Sequence, residues 1–119
     1  MSNNTWIRDH YPDLPSLLAD LRERPGMWLG KKTAYGLEML VRGIEFAEEF
    51  HNVPAEARVG GFDFAEFEAW VERAYNPDRL TLRSFGMAVH AAGSEADGFD
   101  LWFRWYDEYA ATLNREAGD

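Results

Sequence analysis

Glu48 and His51 stand three residues apart, a spacing that sets a carboxylate beside an imidazole on one helical face. There the acid raises the proton affinity of the base, and the pair can move a proton. The same two residues fall in the last turn of their predicted helix, where a plain ion pair near the free carbonyls is the commoner arrangement. The other residue types that carry chemistry are scattered. His10, His51 and His90 show neither H-x-x-x-H nor H-E-x-x-H spacing, and the chain has 0 cysteines, which removes thiol nucleophiles, redox motifs and thiolate zinc sites. Asp97-Gly98-Phe99-Asp100 lacks the alternating oxygens and terminal glutamate of a calcium loop. Ser16, Ser84 and Ser94 lie in no G-x-S-x-G elbow. Arg22, Arg24, Lys31 and Lys32 surround Pro25-Gly26 without a glycine-rich phosphate cradle, and read as a solvated helix end and loop. We therefore expect no catalytic residues, no cofactor and no metal, and a protein that is not an enzyme.

The elements that must carry these residues are helical. Behind Asp13, Leu14, Leu17, Leu18 and Leu21 repeat at helical spacing, with Pro15 in the first turn and Pro25-Gly26 as a stop. Thr33 is placed to cap a second helix with Leu37, Leu40, Val41, Ile44 and Ala47 on one face. Met39, Phe46 and Phe50 form a second apolar edge, so this helix is expected to be central. Pro54 and Gly60-Gly61 make 52–62 a loop. Asp63-Phe64-Ala65-Glu66 is a capping box that opens a third helix with Phe64, Phe67, Val71, Ala74 and Tyr75 inward and Trp70 at the edge, ended by Asn76-Pro77-Asp78. The stretch 81–92 fits a helix better than a strand. Ser94 and Asp97 open a last helix striped by Phe99, Trp102, Phe103, Tyr106, Tyr109, Ala110 and Leu113. The expected fold is all-α: a single domain over residues 1–119 with about five helices around an aromatic core, and a loosely ordered segment at 1–12.

Charge narrows the partner. The 119 residues hold 12 basic and 21 acidic side chains, a net charge of −9, which disfavours a polyphosphate partner and predicts no nucleic-acid binding. Residues 43–78 contain 2 basic and 9 acidic groups, so −7 of the total sits in under a third of the chain. Glu45, Glu48, Glu49, Glu56, Asp63, Glu66, Glu68 and Glu72 come from a helix end, a loop and the next helix, and are expected to be neighbours. Such a cluster is most often a soluble surface. Its functional alternative is a landing site for a basic protein, with Glu45, Glu49, Glu56, Glu66, Glu68 and Glu72 as the contact candidates. Leu101 and Trp105, at i, i+4 on the last helix, are a second candidate strip, for a partner or a homodimer. No apolar run is long enough for a membrane span and no basic region precedes an apolar one at the amino terminus, so a cytoplasmic protein without a membrane partner is expected.

The segment Arg24 to Gly30, RPGMWLG, resembles a seven-residue stretch of DNA gyrase B-type ATPases. Glu48 and Asn52 repeat the E-x-x-x-N spacing of that family, but neither D-x-G-x-G nor a glycine-rich lid follows, so the likeness ends at the loop. A longer resemblance follows element order: the leucine-rich run Leu14 to Leu21, RPGMWLG, a helix, Phe64-Ala65-Glu66-Phe67 with Trp70, and Ser94 to Phe103. In this order the chain is similar to small acidic all-α bacterial proteins found beside secreted polymorphic toxins, of the immunity type. The resemblance implies a non-enzymatic protein that neutralises a basic bacterial toxin by tight binding, and it supplies no catalytic residues. The alternatives are a structural or regulatory interaction domain that forms a homodimer, and a small hydrolase or nucleotide-binding protein using Glu48, His51 or the Pro25-Gly26 loop.

Overall fold

Seven α-helices and one 3-10 turn account for the architecture of the computed structural model, which describes residues 6–118; among them there is no strand. The helices are α1 (Trp6–His10), α2 (Leu14–Glu23), α3 (Pro25–Leu29), α4 (Ala34–Phe50), α5 (Phe64–Tyr75), α6 (Ser84–Ala92) and α7 (Glu95–Gly118), with the 3-10 turn at Ala55–Ala57 between α4 and α5. The stretch at 84–92 is helical, as its spacing predicts. Within the amino-terminal segment, 1–5 lie outside the described residues and 6–10 form α1.

Local chemistry sets the helix starts. The Asp13 carboxylate accepts the Ser16 amide at 2.9 Å and its hydroxyl at 2.6 Å, capping α2. Thr33 Oγ1 accepts the Gly36 amide at 3.0 Å, and Asp63 accepts the Glu66 amide at 3.1 Å. Ser94 Oγ accepts from Asp97 at 3.1 Å. A Cβ on Gly36 would stand 2.8 Å from the Thr33 hydroxyl, so glycine there keeps the cap of α4 open.

The Pro-Gly pair does not simply end α2. Proline lacks the amide that the first helical position leaves unpaired anyway, so Pro25 starts α3 at once. The reason for the RPGMWLG sequence is then visible at Asp20. Its carboxylate accepts Arg24 Nε at 2.9 Å, Tyr11 OH at 2.8 Å and Trp28 Nε1 at 3.1 Å. Arg24 and Trp28 thus hold α3 against α2, and Gly30 closes the turn at φ +80°, a conformation costly for other residues. Hydrogen bonds from Arg24 first, then from Tyr11, keep the Asp20 carboxyl below the usual carboxylate range.

α6 and α7 form the main packing pair, and α4 packs on both. Their close approach depends on Gly98, where a Cβ would meet the Val89 backbone at 2.9 Å. Around α7 the core is aromatic: Trp102 stacks on Phe85 at 5.1 Å between centroids and meets Phe67 edge-on at 5.2 Å. Leu14, Leu18, Leu21, Leu37, Val41 and Val71 fill the space around these rings. α5 also leans on α6 and α7, but it does not pack closely against α4. That gap positions the site described next.

Candidate functional site

Between α4 and α5 runs a groove of about 850 Å³. Val41, Ile44, Phe62, Phe64 and Leu113 give it an apolar floor, and Glu45, Glu48, Asp63 and Glu66 supply four carboxylates along it. The two α4 acids face the two α5 acids because the loop between the helices folds back: the Leu14 amide donates to Gly60 O at 2.9 Å, and Gly61, at φ +86°, lies against Asp13 and Pro15.

The four acids differ in what else they hold. Glu48 accepts the Val59 amide at 2.6 Å, which pins the loop across the groove end. Asp63 caps α5. Glu45 and Glu66 are exposed and have no hydrogen-bond or ion-pair partner for their carboxylates among the described residues, leaving two carboxylates free to meet a ligand. Tyr109 borders the groove from α7. Burial first, and then the Glu66 and Asp63 charges, push its phenol up, so it stays neutral and able to donate a hydrogen bond. An apolar trough with carboxylates on both banks suits an amphipathic segment that presents apolar side chains downward and Lys or Arg outward.

The remaining acidic candidates separate by role. Glu68 accepts the Ser84 amide at 2.8 Å and the Ser84 hydroxyl at 2.6 Å, capping α6 from α5. Ser84 Oγ in turn accepts Trp102 Nε1 at 2.9 Å in the core. Glu72 accepts Asn76 Nδ2 at 2.9 Å, and buried Asn76 brackets Leu80 through the Leu80 amide and carbonyl. These two glutamates border a smaller hollow of about 460 Å³ beside Glu45, but their oxygens hold the 76–84 connection in place. Glu49 pairs with Arg58 at 3.1 Å, and Glu56 is exposed on the 3-10 turn, away from the groove lining.

Two expectations from the sequence are corrected. Trp105 is 3% exposed and stacks on Tyr75 at 4.7 Å, while Leu101 is half-buried against the same core. The Leu101–Trp105 strip therefore faces inward, because α5 supplies an aromatic neighbour that i, i+4 spacing alone does not reveal. The second apolar edge of α4 is not buried either: Phe46 is 68% and Phe50 72% exposed. Among the described residues, the buried positions of α4 are Ala34, Leu37 and Val41, on the face opposite Phe46 and Phe50.

The Glu48–His51 pair is not assembled. Glu48 is engaged by Val59, and the His51 ring lies edge-on to Phe50 at 5.2 Å. Among the described residues, no group of three or more His, Asp or Glu side chains is arranged to hold a metal ion, and no helix is long and apolar enough to cross a membrane.

Sequence reasoning found Glu45 and Glu66 but missed Val59, Phe62 and Leu113 as groove residues. The available signal was the large apolar pair Val59 and Phe62 on either side of Gly60-Gly61 in the loop before α5. No protein-family model, no curated protein and no solved structure matches this chain. Its class rests on its own architecture: an all-α domain with an aromatic core and an acid-lined apolar groove.

Proposed function

We propose that this protein is a non-enzymatic binding protein of the immunity type, which neutralises a basic bacterial toxin by occupying a basic amphipathic segment of it. The observation that carries the reading is the α4–α5 groove, where an apolar floor is flanked by Glu45 and Glu66, two carboxylates without partners among the described residues. Charge of one sign around a low-dielectric trough attracts a basic ligand and raises its association rate, while apolar contact below slows its release. The concentration of acid in 43–78 and the order of motifs along the chain support the same reading.

The test is co-purification with the product of the neighbouring reading frame, together with growth of cells that express that product with and without this chain. Stable capture and restored growth are expected. Absence of both would contradict the proposal.

A further inference from the structure

The outer face of α4 carries the largest exposed apolar feature among the described residues. Tyr35 (62% exposed), Met39 (43%), Phe46 (68%) and Phe50 (72%) point away from the core, and the Phe46 and Phe50 rings stack at 5.8 Å. They form a stripe about 22 Å long at 1.5 Å rise per residue. Its pattern is palindromic. About a point midway between Arg42 and Gly43, Tyr35 mirrors Phe50 and Met39 mirrors Phe46. A face with this symmetry is complementary to itself when a second copy packs antiparallel across a two-fold axis.

The charges beside the stripe favour the same occupant. Glu38 pairs with Arg42 at 2.7 Å and Glu49 with Arg58 at 3.1 Å, so the flanks are largely neutralised within the chain. In a protein of net charge −9, these internal pairs lower the repulsion that a second copy meets on this face. In the antiparallel register, Glu45 of the second copy falls about 3 Å along the axis from Arg42, close enough for an ion pair across the interface. The four apolar side chains alone expose about 500 Å² per copy. Complete burial of these four side chains on both copies would remove about 1,000 Å², near the lower bound for a specific interface before the flanking residues are counted.

We infer that two copies of this chain associate through α4, antiparallel, about a two-fold axis between Arg42 and Gly43. The inference stands on the α4 stripe; it shares Glu45 with the groove, and its test reads self-association and not capture of a basic partner. Gly43 lies at the margin of the stripe beside that axis, and a Cβ added there meets nothing within 4 Å of its own chain. With helices 8–10 Å apart, the two Cβ positions at 43 come to roughly 5 Å, near disulfide distance. The Glu49 positions are separated by about 20 Å.

Because the chain has 0 cysteines, single-cysteine variants report the register directly. Sedimentation velocity of the full chain, from low micromolar to near-millimolar concentration, should show a reversible monomer–dimer equilibrium. Phe46→Glu, and separately Phe46→Ser, should weaken it at least about tenfold with the helical circular dichroism intact. Gly43→Cys should form a disulfide-linked dimer on mild oxidation, and Glu49→Cys should not. A monomer at every concentration, a dimer indifferent to both Phe46 variants, or cross-linking at 49 in preference to 43 would each overturn the inference.

Discussion

Replacing Ser84 by alanine tests whether Glu68 belongs to the fold or to the binding surface. Ser84 is 1% exposed, and its hydroxyl joins the Glu68 carboxylate at 2.6 Å to the Trp102 indole at 2.9 Å. Alanine removes a bond to a charged group, worth about 1.5–3 kcal/mol, and strands a buried N–H at a cost of about 1–3 kcal/mol. The two effects share one site and are not additive, so we expect a loss of about 3 kcal/mol. At about 3–6 °C per kcal/mol for a chain of this size, Tm should fall by about 10–15 °C. Urea unfolding followed by tryptophan fluorescence measures the free energy, and calorimetry the midpoint. As a comparison, Glu66→Ala removes a side chain without partners and should stay within about 0.5 kcal/mol of the parent. A Ser84→Ala protein as stable as the parent would refute the reasoning and return Glu68 to the surface candidates.

Other perturbations follow from the same geometry. Gly98→Ala drives a methyl into the Val89 backbone and should cost about 1–3 kcal/mol in urea unfolding, because α6 and α7 must separate to admit it. Asp20 has a carboxyl pKa lowered by Arg24 and Tyr11, so its contribution is complete above the unfolded value of about 3.9 and is lost as pH falls through the lower folded value. The expected readout is Trp28 fluorescence, unchanged at pH 5 and altered only in strong acid, with the parent's acid step absent in Asp20→Asn. Trp105→Ala should destabilise the domain by about 3–5 kcal/mol, as expected for a core ring and not for an exposed contact.

Much of the fold is legible in the sequence because it is specified locally. Asp13, Thr33, Asp63 and Ser94 cap the helices they precede, and the aromatic stripe from Phe99 to Tyr109 faces the core. What is not legible depends on which neighbour an apolar residue meets. Phe46 and Phe50 have the composition of core residues, yet among the described residues nothing buries them. Trp105 resembles an exposed anchor until Tyr75 is brought against it. Asp20 gives no sign in isolation that Tyr11 before α2, Arg24 at the α2–α3 junction and Trp28 of α3 converge on it. The acidic cluster is visible as composition. Its division into structural carboxylates, Glu68 and Glu72, and unpartnered ones, Glu45 and Glu66, depends on where the 76–84 connection runs.

The central claim, that the groove receives a basic partner through Glu45 and Glu66, is tested most directly by association kinetics. The measurement is the rate at which the product of the neighbouring reading frame binds the parent and the Glu45→Lys, Glu66→Lys double variant, across a range of ionic strength. The parent should associate fast at low salt and slow steeply as salt rises; the variant should bind at least about tenfold more slowly, with a flat salt dependence. Equal rates and equal salt slopes for the two proteins would contradict the account.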